Sequence, residues 1–156
     1  MKKTFYLQAA VLLFLAAAYQ CEKKEEVNPD TIVCVANASL EGTWRLQAYQ
    51  DLATGTLNPD PDPKGRGVVF TFTEEGKSGK IAGHTVANTI FGSYVKGSSC
   101  DLEQVTFGGT KVGEPTSWSS KAWTAMNGAE SFKQGGDRLY IDFNKRSERM
   151  IFERQR

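Results

Sequence analysis

The chain has 156 residues, a length that suits one domain, with 40% hydrophobic and 24% charged residues, the balance of a soluble globular protein. Formal net charge is +1; residues 1–20 hold Lys2, Lys3 and no acid, so 17 basic and 18 acidic residues remain beyond them, which gives no electrostatic ground for a nucleic-acid partner. His84 is the single histidine, which excludes a multi-histidine metal site, and no cofactor is expected.

Residues 1–20 read as an export signal. Lys2 and Lys3 form a positive start, and an uncharged apolar run follows from Ala9 to Ala18. At ~1.5 Å per residue that run is too short to cross a bilayer as a helix. Cys21 stands where the run ends, and Ala18-Tyr19-Gln20-Cys21 resembles the processing site of bacterial lipoproteins. The resemblance implies that Cys21 is acylated and becomes the mature N-terminus, with the protein held at the cell envelope, in the outer membrane. The alternative is a plain secretory signal cut after Ala18, with Cys21 left as a thiol. Residues 21–37 form the tether; Glu22 to Thr31 is charged and lacks apolar periodicity. Lys24-Glu25-Glu26 resembles the Lys-acidic-acidic signal of surface-exported lipoproteins, or is a solvated linker.

Cys34 and Cys100 lie in the exported part, where a disulfide is permitted, and two cysteines allow one pairing. The alternative is two buried thiols. Neither has a Cys-x-x-Cys partner, which disfavours metal and redox chemistry.

Residues 38–156 read as one mainly β domain. Trp44, Leu46 and Ala48 alternate with Arg45, Gln47 and Tyr49, the pattern of a half-buried strand. Asp51 to Gly67 reads as a long loop, whose prolines 59, 61 and 63 cannot enter a central ladder. Val68 to Thr73 is the clearest strand, and Glu74 to Lys77 a hairpin turn. Lys80–Val86, Thr89–Lys96 and Leu102–Phe107 follow as strands. Trp118, Ala122, Ala125, Met126 and Ala129 then share one helical face, with Thr116 or Ser117 as N-cap. Leu139–Phe143 and Arg149–Phe152 close the chain. The expected fold has about seven antiparallel strands in a curled sheet or partly closed barrel, with one helix before the last two strands.

Several catalytic and binding patterns fail on spacing. Gly76-Lys77-Ser78 lacks the earlier glycine of a phosphate loop, since Phe72 sits there. Ser93-x-x-Lys96 lies in a strand, without the supporting motifs of a serine acylase. His84 has no accompanying triad motif. Asp60 and Asp62 lack the glycine and terminal glutamate of a calcium loop. Asn37-Ala38-Ser39 is a formal glycosylation sequon, without meaning in a bacterium. The aromatic residues are more informative. Tyr49, Tyr94, Trp118, Trp123 and Tyr140 do not all fit a core by periodicity. Trp123 falls off the helix's apolar stripe, and Tyr140 faces opposite Leu139, Ile141 and Phe143. Trp123 and Tyr140 are the candidate ligand-binding residues.

Leu40-x-Gly42-Thr43-Trp44-x-Leu46, Phe70-x-Phe72, Ile81-Ala82-Gly83, Asn88-x-x-Phe91-Gly92-Ser93-Tyr94, Thr110-Lys111, one helix and a closing Ile151-Phe152 occur in that order. This order resembles the META domain, the HslJ-like bacterial envelope family, across roughly residues 38–154. Cysteines frequent in that family are replaced here by Ala87 and by Gly113 or Glu114. The resemblance implies a non-enzymatic role in envelope stress or antibiotic tolerance, with no catalytic residues to carry over. Gly42-Thr43-Trp44 also resembles the opening of lipocalin-like barrels, which implies a small hydrophobic ligand in a cavity of ~300 Å³ or more between sheet and helix. The expected protein is a monomer, anchored through Cys21, whose partner is an envelope protein or a small ligand.

Overall fold

In a computed structural model of the chain, the described residues are Thr31, Cys34 and 38–156. The export signal, Cys21 and most of the tether lie outside them. The strands are β1 (Gly42–Asp51), β2 (Leu57–Pro59), β3 (Val69–Glu75), β4 (Ser78–His84), β5 (Thr89–Lys96), β6 (Leu102–Gly109), β7 (Ala129–Gly135), β8 (Arg138–Phe143) and β9 (Glu148–Arg154), with helix α1 (Ser117–Asn127) between β6 and β7. All pairings are antiparallel, in the order β6-β5-β4-β3-β1-β9-β8-β7, and β2 adds to the free half of β1. The sheet curls into a barrel that nearly closes. Among the described residues, the backbone pairing between its edges β6 and β7 comes down to the Asp101–Ser131 bridge and the Phe132 N–H to Cys100 O bond of 2.9 Å, both at the entry to β6.

The mainly β class with one helix stands as expected, with two more strands than the seven expected. Leu57–Pro59 forms β2 inside what reads as a loop. It sits at the margin of the sheet, the place a proline tolerates. The helix stops earlier than its apolar stripe suggests. Gly128 caps α1 and Ala129 opens β7, so the helix precedes three strands rather than two. Thr116 is the N-cap; its Oγ1 accepts from the Ser119 N–H at 3.1 Å.

The barrel interior is packed with rings. Phe70 is fully buried and lies within 5.3 Å of Phe107 and 5.6 Å of Phe152, centroid to centroid. Phe72 and Tyr94 meet edge to face at 5.8 Å. Near the start of β1, Trp44 donates through Nε1 to the Leu40 carbonyl at 2.8 Å, and the Arg154 guanidinium lies 4.1 Å over its ring. Gly42 is required there. Its φ of +134° suits glycine, and a Cβ would overlap the Arg154 guanidinium.

Cys34 and Cys100 are joined, with Cα atoms 5.9 Å apart across a sequence separation of 66. Closing a loop of that length contributes on the order of 4 kcal/mol in the chain-entropy account. The bridge ties the end of the tether to the β5–β6 turn, beside the seam.

Because Phe70 contacts three rings in a filled interior, Phe70→Ala leaves a void that the rigid sheet cannot collapse. The expected loss is about 3–5 kcal/mol, measured by urea unfolding. A loss under about 1 kcal/mol would show that the interior is not packed around this ring.

Candidate functional site

The site begins at a tight turn. Between β4 and β5, the Thr85 N–H donates to the Asn88 carbonyl at 2.9 Å, and the Asn88 N–H donates to Thr85 Oγ1 at 3.1 Å. Both side chains are buried, so each polar atom needs a partner. Asn88 finds them in the loop after β6. Its Oδ1 accepts from Thr110 Oγ1 at 2.9 Å and from the Val112 N–H at 2.7 Å. Its Nδ2 donates to the Val112 carbonyl at 2.8 Å and to Glu114 Oε1 at 2.6 Å. Those bonds use the full capacity of the amide and clamp residues 110–114 against the β4–β5 turn.

Glu114 completes the clamp. Its Oε1 accepts from Thr85 Oγ1, from Asn88 Nδ2 and, at 3.3 Å, from the Trp123 indole Nε1. Its Oε2 has one long contact, the Ala87 N–H at 3.4 Å. Burial alone would raise this carboxyl. Hydrogen bonds from Thr85, Asn88, Trp123 and Ser119 outweigh it and hold the group below the usual carboxylate range.

Trp123 stands on α1, against the end of β6. Its ring meets Phe107 edge to face at 5.4 Å. A Cβ on Gly109 would come within 3.0 Å of the Trp123 ring and would overlap the Thr89 carbonyl, so glycine permits this close approach. The strand, the 110–114 loop and the helix enclose an open cleft of about 480 Å³. Phe107, Gly109, Val112, Glu114 and Trp123 are among the residues that line it. The Thr110 N–H to Thr89 O bond sets the alternation of the β5–β6 ladder. Phe107 and Gly109 therefore point their backbone groups away from β5, toward the seam. The cleft offers apolar walls, backbone polar groups and one carboxylate, and its volume lies in the range of small-molecule sites.

Of the candidate residues, Trp123 lines this cleft and is half-buried. Tyr140 does not line it and is 1% exposed. Its side chain does face away from Leu139 and Ile141. However, β8 is an interior strand between β7 and β9, and the Arg149 guanidinium lies 5.6 Å over the Tyr140 ring. An outward position on β8 is therefore not an exposed one. Tyr49, Tyr94 and Trp118 are buried as well. Tyr49 donates through its hydroxyl to the Trp118 carbonyl at 3.1 Å, and Lys121 Nζ sits 4.9 Å over its ring.

The rejected chemical patterns occupy structural places. Ser93 is exposed on β5, while Lys96 pairs with Glu74 at 2.7 Å. His84 is half-buried, with Nδ1 3.1 Å from the Thr85 carbonyl oxygen. Asp60 pairs with Arg45 at 2.9 Å, and Arg45 also donates to the Gly65 carbonyl at 2.9 Å, fastening the loop between β2 and β3. Among the described residues no group of three His, Cys, Asp or Glu side chains is placed to hold a metal ion. No described helix is long and apolar enough to cross a membrane. A second depression, of about 800 Å³, lies at the opposite end of the barrel around the Glu74–Lys96 pair and Cys100.

No protein-family model and no curated protein matches the chain. Two solved structures share its fold. A protein from Burkholderia xenovorans, solved by NMR, superposes with a TM-score of 0.62 at 20% identity, over 86% of this chain and 96% of that one. A DUF4847-family protein from Bacteroides vulgatus ATCC 8482, solved by crystallography, gives 0.51 at 20% identity, over 74% of this chain and 95% of that one.

Because the folded state depresses the Glu114 carboxyl, its contribution to stability is complete above the ordinary value of 4.5 and is lost as pH falls through the lower folded value. Glu114→Gln is expected to melt below the parent at about pH 7 and to converge on it in strong acid. Melting curves of both proteins across that range provide the check. Parallel pH profiles would mean that Glu114 carries no linkage.

Proposed function

We propose that this chain is a lipid-anchored, non-enzymatic envelope protein that binds a small amphipathic ligand in the cleft between β6 and α1. The observation that carries the reading is the contrast between a barrel axis filled with buried rings and an open cleft of about 480 Å³ beside it, bordered by the half-buried Trp123. The cleft lies between sheet and helix, where a lipocalin-like reading expects its cavity, but it opens at the seam rather than along the axis. A planar or aliphatic ligand body would rest against Trp123 and Phe107, with polar groups directed to the backbone of Gly109.

The envelope address rests on the sequence: the charged start, the short apolar run and Cys21. The residues that carry the META-like resemblance build the frame. Trp44, Leu46, Phe70, Phe72, Ile81 and Tyr94 are core, and Asn88 with Thr110 holds the clamp. A role in envelope stress tolerance is therefore proposed through the ligand, not through chemistry performed by those motifs.

A protein partner is the second reading. Phe91 is 65% exposed and Val112 61% exposed. Phe91 pairs across the ladder with Gly108, which, like Val112, lines the cleft. The apolar surface thus continues from the cleft onto the outer face of β5.

The test incubates the full chain in detergent with an extract of envelope lipids and metabolites, followed by native mass spectrometry. A discrete added mass is expected, reduced roughly tenfold in occupancy by Trp123→Ala, in line with the loss of one aromatic wall. A bare protein mass throughout would move the reading to a protein partner. Separately, a radiolabelled fatty acid fed to cells is expected to label the parent and not Cys21→Ser. Equal labelling would refute the anchor.

A further inference from the structure

We propose that the cleft selects a cationic ligand, a protonated or quaternary amine carried on an apolar body, with Glu114 as the residue that sets this preference. The inference rests on the cleft being a binding site and goes further by naming the charge of what it binds.

Glu114 accepts hydrogen bonds from several side chains and one backbone group. Each is neutral: the hydroxyls of Thr85 and Ser119, the Asn88 amide, the Trp123 indole N–H and the Ala87 backbone N–H. Among the described residues no lysine or arginine pairs with this carboxylate, whereas the half-buried Glu74 at the other end has Lys96 at 2.7 Å. Glu114 thus brings an uncompensated negative charge to the wall of an apolar cleft. Its two oxygens are unequally used. Oε1 takes the bonds from Thr85, Asn88 and Trp123, whereas the Ala87 N–H reaches Oε2 at a long 3.4 Å. A carboxylate oxygen can accept two good bonds, so Oε2 has capacity for a donor from the cleft.

The surroundings favour the same sign. Trp123 and Phe107 present aromatic surface, which attracts cations at the ring face. The carbonyls of Phe107 and Gly109, turned toward the seam, are further acceptors for an ammonium. Lys111 is the opposing charge among the lining residues. It is exposed, so water screens it more strongly than it screens the half-buried Glu114.

The experiment compares three probes of similar shape and different charge: phenethylamine, 2-phenylethanol and 3-phenylpropionate. Each is titrated into the full chain in detergent near neutral pH, and the indole N–H resonance of Trp123 is followed by NMR. That resonance is assigned by its loss in Trp123→Phe. Phenethylamine is expected to bind roughly tenfold more tightly than the alcohol, as one charge-assisted hydrogen bond predicts, and the propionate more weakly than both. Glu114→Gln is expected to lower the ratio of amine to alcohol affinity toward one, whatever its effect on the two affinities themselves. If the alcohol or the propionate shifts the Trp123 resonance at equal or lower concentration than the amine, the charge preference is overturned and the binding cleft stands. If no probe shifts it, both readings fall. The ratio measured in the unmutated chain decides the matter even where Glu114→Gln does not fold.

Discussion

The incomplete closure between β6 and β7 governs the rest of this molecule. An eight-stranded antiparallel path must either seal its edges or cover them, because unpaired backbone edges invite pairing with other chains. Here the seal is a single bridge, Asp101 with Ser131. Continuing that antiparallel register would place residues 130 to 123 opposite residues 102 to 109. Beyond the first two of those positions no strand is there to pair, because Ser117–Asn127 is α1 and Gly128 its cap. The helix therefore covers the upper seam with side chains, Trp123 against Phe107 and Gly109. The disulfide between Cys34 and Cys100 ties the tether to the chain beside the other end of the same seam.

That arrangement explains why the cleft lies where it does. A helix covers a strand edge less evenly than another strand does, since its side chains project in all directions while the ladder presents groups every second residue. The gap is bounded by the 110–114 loop, and the loop holds its shape only because Asn88 and Glu114 bind it to the β4–β5 turn. The polar clamp and the apolar cleft are thus one construction. Removing the clamp would release the wall, and filling the gap with a larger residue at position 109 would displace Trp123.

The barrel was legible because strands such as Val68–Thr73 and Thr89–Lys96 show bounded, alternating patterns. Trp123 was legible as a misfit, a large aromatic outside the apolar stripe of its own helix. β7 was hidden for a physical reason. Ala129 continues the helical spacing of Ala122, Ala125 and Met126, and a register shift between Ala129 and Ser131 breaks the alternation that would have announced a strand. β2 was hidden by Pro59, correctly read as unable to join a central ladder yet able to stand at its margin. Tyr140 misled because facing away from the core implies exposure only where nothing packs on the outer face, and strand alternation carries no information about that. Asn88 appeared only as part of a motif, and Glu114 as a residue in a loop. The network joining them depends on contacts across 26 positions, which no local pattern encodes.

The clamp also places structural and ligand requirements on the same side chain. Buried polar groups are costly unless every member is satisfied, and Asn88 meets that condition fully. Glu114 does not need its second oxygen to hold the loop, because Oε1 already receives Thr85, Asn88 and Trp123. A neutral acceptor at that position could make the same contacts through one oxygen, but without the charge assistance that strengthens the bonds from Thr85, Asn88 and Trp123. The charge is what a neutral replacement lacks, and charge matters most where it faces a partly water-excluded, aromatic surface. Trp123 is tied to both roles: its indole N–H donates to the carboxylate while its ring forms the cleft wall. A cation arriving at Oε2 would draw on the same carboxylate that orients the ring, so occupancy and the order of the wall are coupled through one group.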